Sequence, residues 1–227
     1  MRLLALDTAT ECCSAALLSG DRLLTRELEL ARGHAERILP MIDELLGEAG
    51  IGLRDLDALA FGRGPGSFTG VRLAASIAQG LAFGADLRVV AISDLSALAQ
   101  RGFDDGGGVT RVLVCNDARM REVYWACFER GSDGRAVAFG PERVGPPESV
   151  RLPPQWADAA GLGRGFAVYP VLRALAGVVV GIGWDRLLPR AAEVARLAVP
   201  ELAAGRLLDP EAALPVYLRD DVARAPP

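Results

Sequence analysis

Few residues in this sequence are equipped for chemistry, and each stands nearly alone. Asp7 and Asp117 each follow an apolar, strand-like run, where two carboxylates could hold a metal ion with a nucleotide between two lobes. Such clefts need glycine beside the acid so that phosphate can reach the backbone. The turns here read Asp7-Thr-Ala-Thr10 and Asn116-Asp-Ala-Arg119, so the cleft looks eroded. A second candidate is Gly62-Arg-Gly-Pro-Gly-Ser-Phe-Thr-Gly70, a strand–turn–helix junction in which Ser67 or Thr69 can cap free amides. Its backbone around Gly64 and Gly66 either holds an anion, helped by Arg63 or Arg72, or uses glycine because bulkier residues clash. His34 is the only histidine, which closes off His-Glu-x-x-His zinc hydrolysis and leaves a Ser-His-Asp relay one candidate base. All 25 basic residues are arginine; without lysine there is neither a Walker-type phosphate loop nor a Schiff base. Cys12, Cys13, Cys115 and Cys127 lie in apolar runs and read as reduced core residues.

The elements that must position these residues follow from periodicity. Residues 3–7, 12–18 and 22–29 read as three strands, with Ser19-Gly20-Asp21 as a hairpin turn. Residues 34–50 carry Ile38, Leu39, Ile42, Leu45 and Leu46 at helical spacing, with Pro40 inside. A short strand at 57–61 leads into the glycine-rich loop, a second helix spans 68–83, a strand 88–92, and a short helix 94–100. The glycine- and acid-rich stretch 102–108 marks a boundary. Beyond it, 111–115, 122–129 and 135–139 repeat the three-strand pattern, with Asp7 laid on Asp117. A Pro-rich connection at 141–154, a helical 166–175, a strand at 178–182 and a terminal helix at 190–205 complete the reading. The expected organisation is α/β, with duplicated strand-and-helix units forming a first lobe over 1–103 and a smaller second lobe over 104–227, the terminal helix free to pack back on the first.

The 227 residues are 51% hydrophobic and 24% charged, with a net charge of −4. That composition predicts a folded chain and lacks the global positive charge of a dedicated nucleic-acid binder. The N-terminal run meets Asp7 before any signal-peptide core develops, and no apolar stretch reaches the roughly 18 residues of a membrane span; a cytoplasmic location is expected. In the second helix Gly70, Ala74, Ala78 and Ala82 recur every four residues, a stripe along which another backbone can come close. It either packs on the chain's own sheet or, with the apolar Met41 and Leu45 on the neighbouring helix, forms a partner surface.

Five strings, Ala5-Leu-Asp-Thr-Ala-Thr10, His34-Ala-Glu-Arg-Ile-Leu-Pro40, Gly64-Pro-Gly-Ser-Phe-Thr-Gly-Val-Arg72, Asp117-Ala-Arg-Met-Arg-Glu-Val-Tyr-Trp125 and Pro215-Val-Tyr-Leu-Arg219, together resemble the TsaB (YeaZ) family over nearly the whole chain. The resemblance implies an actin-like, sugar-kinase-like (ASKHA) two-lobed fold. It also implies a non-catalytic helper in threonylcarbamoylation of the adenosine next to the anticodon of tRNAs that read codons beginning with A. The catalytic paralogue TsaD would pair with the two N-terminal helices, here through His34, Ile38, Met41, Ile42, Leu45, Gly70, Ala74, Ala78 and Ala82. The ATPase TsaE would join the pair, tRNA would be met indirectly, and the helices could form a homodimer when the chain is alone. ATP and a metal ion would belong to the partner subunits, with no cofactor and no metal on this chain. The positions of TsaD's His-x-x-x-His metal ligands align here with Asp94 and Leu98, and Arg121 stands where many relatives place glycine. The alternative within this fold is an ATP-dependent phosphotransferase using Asp7 and Asp117.

Overall fold

The computed structural model describes residues 1–175 and 177–219. It places two twisted sheets side by side, each with helices packed against it. The first sheet has the order β3 (Arg22–Glu29), β2 (Cys12–Ser19), β1 (Arg2–Asp7), β4 (Ala58–Gly62), β5 (Val89–Ile92). The first three strands form an antiparallel meander, and β4 and β5 join parallel through helical crossovers. The second sheet repeats that order with β8 (Ala136–Ala138), β7 (Val123–Arg130), β6 (Arg111–Asp117), β10 (Ala159–Leu162) and β11 (Val178–Val179), and β9 (Arg143–Gly145) pairs with β7. The pairing senses match as well: antiparallel within the meander, parallel from β6 to β10 to β11. This is the duplicated two-lobed actin-like, sugar-kinase-like fold.

The strand β10 that completes the second unit escaped the sequence reading because Ala-Ala-Gly-Leu carries no branched or aromatic residue. The expected helix at 166–175 is one turn of α-helix, α4 (Gly165–Val168), followed by a 3-10 turn at Pro170–Ala174, because Pro170 cannot continue the hydrogen-bond ladder. The expected strand at 178–182 pairs at only two residues, because Gly181 and Gly183 interrupt it.

On one face of the first sheet lie α1 (His34–Ala49) and α2 (Phe68–Ala85); on the other lies α5 (Ala191–Ala203). The helix α3 (Asp94–Asp105) starts at the end of β5 but packs on the second sheet, burying Leu95, Leu98, Ala99 and Phe103 against Val112, Val114 and Phe128. The chain therefore crosses between lobes twice, through α3 and α5, and a cut near residue 103 separates the lobes in sequence only. The last described segment, 206–219, runs back along the first lobe: Leu208 pairs with Val89 at the sheet edge, and the Ala213 carbonyl accepts from Gln79 Nε2 at 3.1 Å beside α2.

The small-residue stripe of α2 has an internal use. Ala74, Ala78 and Ala82 are wholly buried in one cluster with Leu6, Leu59 and Phe61 of the sheet. Without bulk there, the helix axis sits close to the strands. On α1, Ile38, Ile42 and Leu45 are equally buried in the same cluster. Ala78→Leu is expected to overpack this contact and destabilise the monomer by about 1–3 kcal/mol, measured by urea unfolding.

Candidate functional site

Where β1, β4 and α3 meet, the backbone is drawn in tightly. A Cβ on Gly66 would lie 2.8 Å from the Ala9 Cβ, and one on Gly70 would overlap the Thr8 carbonyl. Hydrogen bonds hold the approach: Ser67 N donates to Ala9 O at 2.7 Å, and Thr8 Oγ1 to Gly70 O at 2.7 Å. Ser67 caps α2, its Oγ accepting from Gly70 N at 3.4 Å, while Gly64 N donates to Asp94 Oδ2. The amides of Gly64, Ser67 and Gly70 are thus committed within the chain. Thr69 is exposed on the first turn of α2. The loop's glycines at 66 and 70 lie in close packing on the β1–β2 turn.

Asp7 and Asp94 are wholly buried side by side beneath this loop. Burial pushes the Asp7 carboxyl up to about 6, against a lowering by its bonds to Asp94 and to Ala9 N (2.7 Å). Asp94 is raised well above the usual carboxylate range, first by burial and then by the neighbouring Asp7. Two carboxyls in contact share protons; they do not present two anions. Asp7 Oδ2 and Asp94 Oδ1 have no other polar partner. Leu98, one turn further along α3, is wholly buried in apolar surroundings and offers no ligand. Among the described residues no group of three or more His, Cys, Asp or Glu is arranged to hold a metal ion.

The second lobe corrects the pairing of Asp7 with Asp117. Along β6, Val112 and Val114 face α3, and strand alternation puts Asn116 on that side. Asp7 likewise continues the Leu3 and Ala5 face of β1, which packs on α5. A Cβ on Gly62 would lie 3.0 Å from Asp7 Cγ, and one on Gly163 2.6 Å from Asn116 Oδ1. The structural counterpart of Asp7 is therefore the amide Asn116. Asp117 lies one residue on, accepting from Tyr169 Oη at 3.0 Å and from Arg119 Nη1 at 3.0 Å. Between the two turns lies a cavity of about 790 Å³, lined by Thr8–Glu11 and Asn116–Met120. His34 is half-buried at its edge, its Nε2 2.9 Å from Thr10 O.

The residues expected to meet a partner fall into two groups. Ile38, Ile42, Leu45, Gly70, Ala74, Ala78 and Ala82 are buried in the monomer, because the apolar stripe of each helix is the side that the sheet takes. Met41 is half-buried against the same cluster. The opposite side of the two helices is open, with Leu39 at 44% and Phe83 at 83% exposure. Ser76, Gly80 and Gly84 follow one another every four residues on that open side of α2, and a Cβ on either glycine would meet nothing. This second small-residue stripe has the same period as the buried Gly70–Ala82 stripe.

The fold and the emptied cleft define a two-lobed actin-like chain whose first-lobe acid is held in a buried carboxyl pair. Comparisons with known proteins narrow the class. Residues 28–171 match the family model of TsaD, tRNA N6-adenosine threonylcarbamoyltransferase. The chain is 44% identical over 229 aligned residues to the tRNA threonylcarbamoyladenosine biosynthesis protein TsaB of Escherichia coli K12, covering 98% of this chain and 96% of that one. It is 43% identical to TsaB of Haemophilus influenzae, with 98% and 95% covered. The solved structure of YeaZ from Pseudomonas aeruginosa is 45% identical and superposes with a TM-score of 0.89 over 96% of this chain and 99% of that one. The chain belongs to the TsaB family.

The Asp7–Asp94 pair fixes a pH dependence. Because folding raises the Asp7 carboxyl from near 4 to about 6, its contribution is fully present below pH 4 and is lost as pH rises through 6. Asp94→Asn keeps an acceptor for Gly64 N and supplies a donor to Asp7. Thermal unfolding from pH 4.5 to 8 should show the variant gaining on the parent as pH rises, by about 1–3 kcal/mol at pH 8. A variant less stable at every pH would show that the two groups do not share a proton.

Proposed function

We propose that this chain serves tRNA threonylcarbamoyladenosine synthesis as a non-catalytic subunit that binds and stabilises TsaD through the exposed faces of α1 and α2. One observation carries the reading. Glycine inside a helix costs about 1 kcal/mol relative to alanine, and Gly80 and Gly84 stand where no neighbour of the monomer would meet a Cβ. Their use is outside the monomer, where a second backbone can approach along Ser76, Gly80 and Gly84 with Phe83 and Leu39 as apolar flanks. A homodimer of the isolated chain would use the same face. TsaE would join the assembled pair, tRNA would be met through the complex, and ATP and metal chemistry would lie in the partner subunits.

Against the ATP-dependent phosphotransferase stands the first-lobe carboxyl, buried against a second carboxyl that raises the cost of its charged form. Opposite it, the second-lobe turn Asn116-Asp-Ala-Arg119 has no glycine beside its acid, and Arg121 follows.

In a sizing-column experiment with TsaD, the parent chain should co-elute as a stoichiometric complex and show no ATP turnover alone. Gly80→Ala should stabilise the monomer by up to about 1 kcal/mol, while Gly80→Arg should leave it folded and abolish the complex. Undiminished pairing by Gly80→Arg would move the interface elsewhere.

A further inference from the structure

The cavity between the lobes is bridged at its mouth from two sides. On one side Glu11, in the β1–β2 turn, receives two arginines of the second lobe: Arg119 Nη2 on Oε1 at 3.2 Å and Arg164 Nη1 on Oε2 at 3.2 Å, with Arg164 also paired to Glu29 of β3. On the other side the returning segment is tied down on the first lobe, Val216 N donating to Arg63 O at 2.8 Å and Arg72 Nε to Tyr217 Oη at 2.7 Å. The Arg72 guanidinium also lies 3.6 Å over the Phe68 ring. From that anchorage Arg219 reaches the second lobe, where it pairs with Glu122 and donates to the Ala118 carbonyl at 3.2 Å.

Both bridges end on one turn. Its three central residues, Arg119, Met120 and Arg121, have φ of 60°, 53° and 61°, left-handed in succession with no glycine among them. Side chains make that conformation unfavourable at every residue, so a run of three persists only where its ends are held. Within the lobe Asp117 accepts from Arg119 N at 2.9 Å, and Ala118 N and Glu122 N donate to Glu122 O and Arg119 O, each at 2.9 Å. From outside, the turn is held by Glu11, which takes Arg119, and by Arg219, which takes Ala118 and Glu122.

We propose that Glu11 and Arg219 form a two-point clasp that holds the lobes closed over the cavity, and that the strained 119–121 turn is the element that relaxes when the clasp is released. The lobes are also joined through α3 and α5, which pack on each other, and by the Arg164–Glu29 pair and the Arg63–Glu142 pair, the latter at 3.2 Å, so release at Glu11 and Arg219 loosens the mouth while these contacts keep the lobes connected. The segment 206–219 then acts as a strap: anchored on α2, it carries the position of the first lobe to the second through Arg219.

The four native cysteines are buried, so spin labels can be placed on Ala35→Cys, exposed at the head of α1, and Val168→Cys, half exposed on the second lobe. Electron–electron distance measurement on the full-length chain should give a narrow distribution. In the Glu11→Gln/Arg219→Gln background the longer-distance component should grow by about fivefold for each bridge removed, the scale of an exposed ion pair. In 1 M NaCl the chain with the clasp intact should broaden in the same direction, because Arg119 is largely solvent-exposed and its pairing is screened. If the double variant fails to fold, the salt series decides alone. Unchanged distances in both arms would overturn the clasp.

Discussion

The structure turns on how closely two backbones can lie at one place, where Gly66 and Gly70 meet the β1–β2 turn. No side chain fits between Gly70 and the Thr8 carbonyl, and the Ser67 and Thr8 hydrogen bonds lock the contact. Because the first turn of α2 is seated that deeply, the rest of the helix must run close over β1 and β4. Only Ala74, Ala78 and Ala82 then fit beneath it. The helix consequently hides its small residues at 70, 74, 78 and 82, and what it shows to solvent is the stripe at 76, 80 and 84, which has no packing role in the monomer. The geometry of the loop that resembles a phosphate cradle thus decides which face of α2 is free.

The same seating explains why the cleft is poor in reactive groups. A nucleotide-binding two-lobed fold needs an ionised acid at the end of the first strand and unencumbered amides around it. Here the acid is in contact with a second carboxyl on α3, both buried, and Gly62 leaves the room they occupy. Desolvation makes the charged form of either group expensive, so near neutral pH the pair keeps a proton between its two carboxyls and joins β1 to α3. It supports the crossover by which α3 leaves the first sheet for the second.

Much of this was legible in the sequence. The meander, α1, the strand–loop–α2 unit and the repeat after the glycine run all follow from apolar period and turn residues, because those elements bury one face and expose the other. The errors came where period does not carry the information. Ala159–Leu162 lacks β-branched residues, and only its place between β6 and β11 makes it a strand. Asp117 was matched to Asp7 because both are acids, whereas the strand face, which depends on register, matches Asn116. The two stripes of α2 share one period and similar composition, so no single-helix pattern could say which of them the sheet would take. The resemblance singled out Asp94 and Leu98 as aligned positions, but nothing in it said that Asp94 would lie against Asp7, since that contact spans 87 residues of sequence.

Duplication gives the two lobes the same strand order, and their differences show what each has been left to do. The first-lobe turn is drawn against a long helix by glycine contacts. The helix packed on the second sheet's matching face is the single turn of α4, whose Gly165 approaches the Cys115 carbonyl within β6. A short helix cannot brace a loop as eighteen residues of α2 do. The 118–122 turn, closed by its own backbone bonds and by Asp117, takes further support from outside its lobe, from Glu11 and from Arg219. Its left-handed run is the local cost of that arrangement. In the first lobe the glycines fix position through packing, which salt does not weaken; in the second, arginine pairs do the equivalent work and stay sensitive to ionic strength. The two halves of one fold thus reach the same cleft with unequal rigidity, and the first lobe, with its braced helices, is the half suited to present a fixed surface.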